Sequence, residues 1–174
     1  MEPIPWRYIN SWNCLACGMC CRGYDVALKY PEWLKIIQTY GIGVTRPGTN
    51  RFYLGKRGDG SCVFLYKFFD RWFCALQHMK PRACKLWPFK VYSQPRYGRP
   101  NQASYEYMDR EFFIYVDPRC LGLRFGRNSS SQLVSKIMPE VVEIALGLRE
   151  KQFYSTSRIQ SYPKDLRFKA RKVI

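Results

Sequence analysis

The sequence is short of the groups on which much enzyme and metal chemistry rests. Its one histidine, His78, excludes a Cys2His2 zinc finger and the two-histidine facial triad of non-haem iron. Any nucleophile–histidine dyad would have to run through that ring alone. Acidic residues number 13 against 29 lysines and arginines, and no carboxylate pair suggests general acid–base work. Apolar runs are a few residues long, far short of the ~20 that cross a bilayer. The opening Met1-Glu2-Pro3-Ile4-Pro5-Trp6-Arg7 has no apolar core of a secretory leader. These absences predict a cytoplasmic protein with no membrane partner. Arg57-Gly58-Asp59-Gly60 lacks the Gly-Lys-Ser/Thr ending of a phosphate loop and reads as a turn. With no nucleotide or S-adenosylmethionine motif either, no small-molecule substrate is evident.

What is present is cysteine in clusters. Eight cysteines in 174 residues fall below the ~8–10% of a disulfide scaffold. They are grouped as Cys14, Cys17, Cys20 and Cys21, then Cys62, Cys74, Cys84 and Cys120. In a reducing compartment such grouping reads as metal ligation. Zinc knuckles usually present two thiolates per loop, whereas a cubane iron–sulfur cluster offers several iron corners to one C-x2-C-x2-C loop. The cofactor expected is therefore an iron–sulfur cluster, with [4Fe-4S] favoured, or zinc. Eight sulfurs could serve two four-ligand sites, one bridged multinuclear site, or one site plus spare thiols.

The length and the 47% apolar content fit a single α+β domain, loop-rich and organised around cysteine-bound metal. A division at 1–148 and 149–174 separates the cysteine-bearing domain from a basic C-terminal extension. A weak strand is expected within Tyr24–Leu28, and a helix over Pro31–Tyr40 with proline at its start and Gly41 past its end. Trp33, Leu34, Ile36 and Ile37 form its apolar side. Residues 41–60 read as a long loop or irregular hairpin. Cys62–Tyr66 and Phe68–Cys74 read as short β segments around a turn. Two prolines exclude a long helix over Met79–Pro88. Tyr105–Asp109 and Glu111–Val116 should pair as strands. A helix should start at Asn128–Ser131, with Leu133, Ile137, Val141, Ile144, Ala145 and Leu148 at helical spacing and an interruption at Pro139.

The run Cys14-x2-Cys17-Gly18-x-Cys20-Cys21 resembles the founding motif of the zinc- or iron-chelating CxxCxxCC family, also called YkgJ-type. Asp59-Gly60-Ser61-Cys62-Val63-Phe64-Leu65 is similar to its second block. Cys74 followed by Lys80-Pro81-Arg82-Ala83-Cys84-Lys85-Leu86-Trp87-Pro88-Phe89 is similar to its third, and Asp117-Pro118-Arg119-Cys120-Leu121-Gly122 to its fourth. The matches span residues 14–122. Departures are His78 and Lys80 in place of a tyrosine and an arginine, and Leu121 in place of a proline. The resemblance implies that all eight cysteines are metal-ligand candidates and implies little about activity. Flagellin lysine methylases are similar in their cysteines, which leaves an iron–sulfur enzyme, a redox protein or a methyltransferase, as the alternative to a non-catalytic binding protein.

A net charge of +16 attracts polyanions, chiefly through counterion release from phosphates. Aromatics are 17% of the chain and lie among the basic residues. Stacking faces beside cations suit single-stranded RNA. The candidate contacts are Lys85, Trp87, Lys90, Tyr92, Arg96 and Arg99, together with Lys164, Arg167, Lys169, Arg171 and Lys172 near the C-terminus. RNA or a ribonucleoprotein assembly is the expected partner.

Overall fold

In the computed structural model, the described residues are 1–154. From the N-terminus run β1 (Ile4–Pro5), β2 (Ile9–Trp12), β3 (Ala27–Leu28), α1 (Tyr30–Tyr40), β4 (Thr45–Pro47) and β5 (Phe52–Leu54). Next come β6 (Leu65–Phe68), β7 (Arg71–Cys74), α2 (Arg82–Leu86), β8 (Phe89–Tyr92), α3 (Pro100–Ala103) and β9 (Ser104–Tyr107). β10 (Arg110–Val116), β11 (Leu123–Phe125) and α4 (Met138–Leu146) complete the set, with a π-helical turn over Leu133–Ile137 leading into α4. The expected α+β class is what the fold shows.

β10 is the central strand because it alone is both long and rich in aromatic and β-branched residues. It pairs antiparallel with β8 on one side and with β1 and β9 on the other. The turn to β9 places Met108 and Asp109 both at positive φ, 49° and 55°, the backbone of a tight hairpin. Alternation along β10 sends Phe112, Ile114 and Val116 into a core with Trp6, Trp12 and Phe89 under α4, which contributes Met138, Val141 and Val142. Phe113 and Tyr115 point to the opposite face, where Ala103, Tyr92 and Tyr97 pack on them.

A second core lies under α1, where Ile36 meets Leu28, Leu54, Phe64, Leu65 and Leu76. Trp33 stacks on Phe52 at 4.1 Å, but Leu34 of the same helix is exposed, so the buried stripe is narrower than its sequence suggests. Around this core sit the three-stranded β3-β5-β4 sheet and the β6–β7 hairpin, while β11 pairs with β2 beside the first core. The hairpin turns at Phe69–Asp70, later than the Tyr66–Phe68 junction expected, with Phe69 at φ 49°. Ser130 starts the last helix by accepting the Leu133 N–H on its hydroxyl. The interruption at Pro139 takes the form of the π-helical turn just before it, which absorbs the missing N–H of the proline.

Residues 149–154 lie against the body. The carboxylate of Glu140, buried in α4, accepts the N–H groups of Phe153 at 2.7 Å and Tyr154 at 3.2 Å. No helix among the described residues is long and apolar enough to cross a membrane.

Candidate metal centre

The loop from Asn13 to Gly23 carries four cysteines and cannot be regular, since Ala16 and Gly18 both sit at positive φ. Gly18 is required twice over. Its φ of 72° is costly for other residues, and a Cβ there would lie 3.0 Å from the Trp72 side chain. Trp72 in β7 donates its backbone N–H to the carbonyl of Ala16 at 2.8 Å, and Arg22 lies over its ring at 4.0 Å. The hairpin thereby pins the first cysteine loop. Cys62 donates its N–H to the carbonyl of Cys21 at 2.7 Å, which fastens the second block to the first. The fourth block is fastened by Asn13, whose N–H reaches the carbonyl of Gly122 at 3.0 Å. A Cβ at Gly122 would fall 2.0 Å from the Asn13 oxygen, so only glycine permits that approach.

The result is convergence. Cys14, Cys17, Cys20, Cys21, Cys62, Cys74, Cys84 and Cys120 all line one cavity of about 70 Å3. It opens at the seam between the two cores: Cys14 and Cys120 pack against the first, and Cys21, Cys62, Cys74 and Cys84 against the second. None of the eight is joined in a disulfide. Cys20 is the hub. Its charge acts on Cys14 and Cys120 on one side and on Cys62, Cys74 and Cys84 on the other, and its sulfur lies 3.8 Å from that of Cys21.

Burial makes this a hostile place for bare thiolates. It pushes Cys14 and Cys74 up to about 11 and raises Cys62, Cys84 and Cys120 as well. Cys20 is the exception, held down to about 7, first by the hydrogen bond from the Cys21 thiol and then by Lys80, against the opposing effect of burial. Cys21 shifts upward correspondingly, since ionising it would break that bond.

The surroundings are built for sulfur anions nonetheless. Backbone N–H groups two residues on are directed at four of the sulfurs: Ala16 at Cys14, Phe64 at Cys62, Leu76 at Cys74 and Gly122 at Cys120. The buried indole N–H of Trp12 has no hydrogen-bond partner of normal geometry, and its effect falls on Cys120, whose ionised form it favours. Lys80 is only 7% exposed, lines the cavity and acts on Cys14, Cys20, Cys74 and Cys84. Donors and an ammonium directed at thiols that burial keeps protonated fit a centre that receives metal cations and loses protons as it does so. Among the described residues no three His, Cys, Asp or Glu side chains are closed around a single ion position. The sulfurs line the wall of a space and do not form a finished cage.

The nucleic-acid candidates divide. Trp87 lines the cysteine cavity with its ring 4.1 Å from Tyr24, so it is part of the wall. Lys85 faces a cleft beside it. Lys90, Tyr92, Arg96 and Arg99 gather instead on the outer face of the main sheet. There Arg96 lies over Tyr92 at 5.0 Å, Lys90 over Tyr97 at 5.7 Å and Arg99 over Tyr8 at 5.3 Å. Lys164, Arg167, Lys169, Arg171 and Lys172 lie outside the described residues. Sequence reasoning missed Lys80 and Trp12 as parts of the site. Nothing in a lone lysine among six basic residues, or a tryptophan before the first cysteine, marks it as cavity-facing.

A family model described as "Putative zinc- or iron-chelating domain", CxxCxxCC, matches residues 13–121, and the chain belongs to that family. No curated protein and no solved structure matches it.

Proposed function

We propose, with membership of this metal-chelating family as the premise, that the eight cysteines hold one multinuclear thiolate centre in which Cys20 is the shared ligand. The carrying observation is that all eight thiols line a single cavity. A lone tetrahedral zinc needs four donors within about 2.3 Å of one point. Sulfurs set apart around a space suit a centre that brings its own core, so iron–sulfur is preferred to zinc; a single [4Fe-4S] takes four of the thiolates, one per iron, and eight ligands call for a second core or a larger one. The bound metal supplies the positive charge that lets buried thiols ionise. Trp12 and Lys80 then stabilise the sulfur anions. The reading for this centre is non-catalytic, because about 70 Å3 leaves no room at the cysteines for a substrate, whose pockets begin at ~300 Å3. Eight cysteines without a disulfide suit a reducing compartment such as the cytoplasm.

Anaerobic purification, metal analysis and an absorption spectrum test this. A broad band near about 400 nm with bound iron is the expected result. A colourless sample holding several zinc ions keeps the thiolate centre and replaces its metal, and a metal-free sample that cannot be loaded overturns the reading.

RNA docking is the second reading, favoured by the gathering of Lys90, Tyr92, Arg96 and Arg99 with Tyr97 and Tyr8 in one patch. Deleting residues 164–174 removes Lys164, Arg167, Lys169, Arg171 and Lys172 against one acid, Asp165. The salt slope of RNA binding should then fall by up to about 3 to 4 logarithmic units. An unchanged slope, or affinity weaker than about 10⁻⁴ M at physiological salt, removes the support.

A further inference from the structure

Lys80 also lines a second cleft, of about 320 Å3, which holds none of the cysteines. Cations enter it from three elements: Lys29 just before α1 and Lys35 within it, Arg82 and Lys85 in α2, and Arg149 beyond α4, with His78 also in the lining. Two carboxylates face them and both act on Lys85, but neither is paired with a lysine within 4.0 Å. Glu32 spends both oxygens on backbone, accepting the N–H of Lys29 at 2.8 Å and of Arg82 at 2.7 Å. Glu150 is exposed and acts on Lys85 from beyond ion-pair distance.

The two arginines are occupied. Arg82 donates to the carbonyl of Ala145 at 3.1 Å, an approach that Gly147 permits, since a Cβ there would lie 2.9 Å from the guanidinium. Arg149 is held by Glu140 and Glu143. Lys29, Lys35 and Lys85 have no carboxylate within 4.0 Å among the described residues. Three such lysines line one concavity, and Lys85 is half-buried there. Cations that outnumber the two carboxylates beside them repel one another, and the repulsion is relieved by a ligand carrying several negative oxygens.

We propose that this cleft binds a phosphate group, carried either by a compact polyphosphate of nucleotide size or by a nucleic-acid backbone. The volume falls within the range of small-molecule clefts, about 300–1,000 Å3. Lysines, as point charges on flexible stems, suit phosphate without demanding one planar geometry. The inference does not rest on the RNA reading above, because Lys90, Tyr92, Arg96 and Arg99 are not among the residues lining this cleft.

Calorimetric titration of the full chain with inorganic pyrophosphate, and separately with a short single-stranded RNA, tests it at physiological salt. The variants are Lys29→Gln/Lys35→Gln, both at exposed positions, and Arg96→Gln as the control on the tyrosine patch, each checked for fold by circular dichroism. Pyrophosphate should bind to the wild type, and the double variant should weaken it about 10- to 100-fold while Arg96→Gln leaves it unchanged. Binding of the RNA but not of pyrophosphate, lost in the double variant, keeps the cleft and assigns the phosphate to the backbone. Binding of either probe that is indifferent to Lys29 and Lys35, or no binding of both, overturns the proposal. RNA binding lost only in Arg96→Gln does so too, while leaving the RNA reading intact.

Discussion

Cys20 and Lys80 are each within electrostatic reach of thiols from both halves of the cavity. Cys17 lines the same cavity from the first loop. Cys20→Ser should therefore abolish metal loading, whereas Cys17→Ser should lose only part of it. Metal analysis of the two proteins, prepared in parallel, checks this, and equal loss in both removes the hub. Lys80 is a buried cation whose natural counter-charge is sulfur. Lys80→Met should weaken metal affinity about 10- to 100-fold, as for outer-shell partners of metal ligands, and Lys80→Arg should restore part of it. Competition with a chelator measures both. Unaltered affinity in Lys80→Met would show the ammonium to be only structural.

At the scale of elements, the centre depends on short pieces held to one another by polar ties. Asp117 follows β10, lies 1% exposed and fastens the Cys120 turn to the stretch after Cys21. It accepts two bonds from the Arg119 guanidinium, at 2.7 and 3.0 Å, and one from the Tyr24 hydroxyl at 3.0 Å. Burial alone would raise its pKa, but the bonds from Arg119 and Tyr24 outweigh burial and hold it below the usual value. A carboxyl depressed in the folded state contributes stability above its unfolded pKa, about 4, and that contribution is lost as pH falls through the folded value. Asp117→Asn should cost about 1–3 kcal/mol at pH 7 and flatten the loss of stability below pH ~4. Urea melts at neutral and acid pH read both effects. Parallel acid limbs in variant and wild type would assign the dependence to other groups.

Over the whole molecule, the two cores are unequal. The first joins a four-stranded sheet to α4 through buried tryptophan, phenylalanine and aliphatic side chains, and should depend less on metal. The second is held by α1, two- to four-residue strands, a five-residue helix and loops, with four cysteines in or against it. Metal binding should supply much of the folding free energy of that half. Chelation should lower the melting temperature and remove amide-exchange protection from residues 14–86, while β10 and α4 stay protected. Full protection of β6, β7 and α2 in metal-free protein would show the second core to be self-sufficient.

The alternation from Phe112 to Val116, the periodic apolar residues from Leu133 to Ile144 and the Pro31–Gly41 frame are readable without coordinates. Each is a local pattern matched to the period of its own element. The cysteines are readable as a set for the same reason: four ordered blocks with fixed internal spacing need no third dimension to be noticed. Their arrangement is not. That the four blocks share one cavity follows from Trp72 pinning the first loop, from the Cys62–Cys21 backbone bond and from the close pass of Gly122 over Asn13, all contacts between residues far apart in the chain. The separation of Trp87 from Tyr92 is likewise tertiary. One lies in the cavity wall and the other on the outer sheet face, because β8 begins between them. Lys80 reads in the sequence as one more cation of a basic run, and the fold buries it between thiols and cleft. Charge can be read from composition, but its surroundings depend on how the chain closes around it.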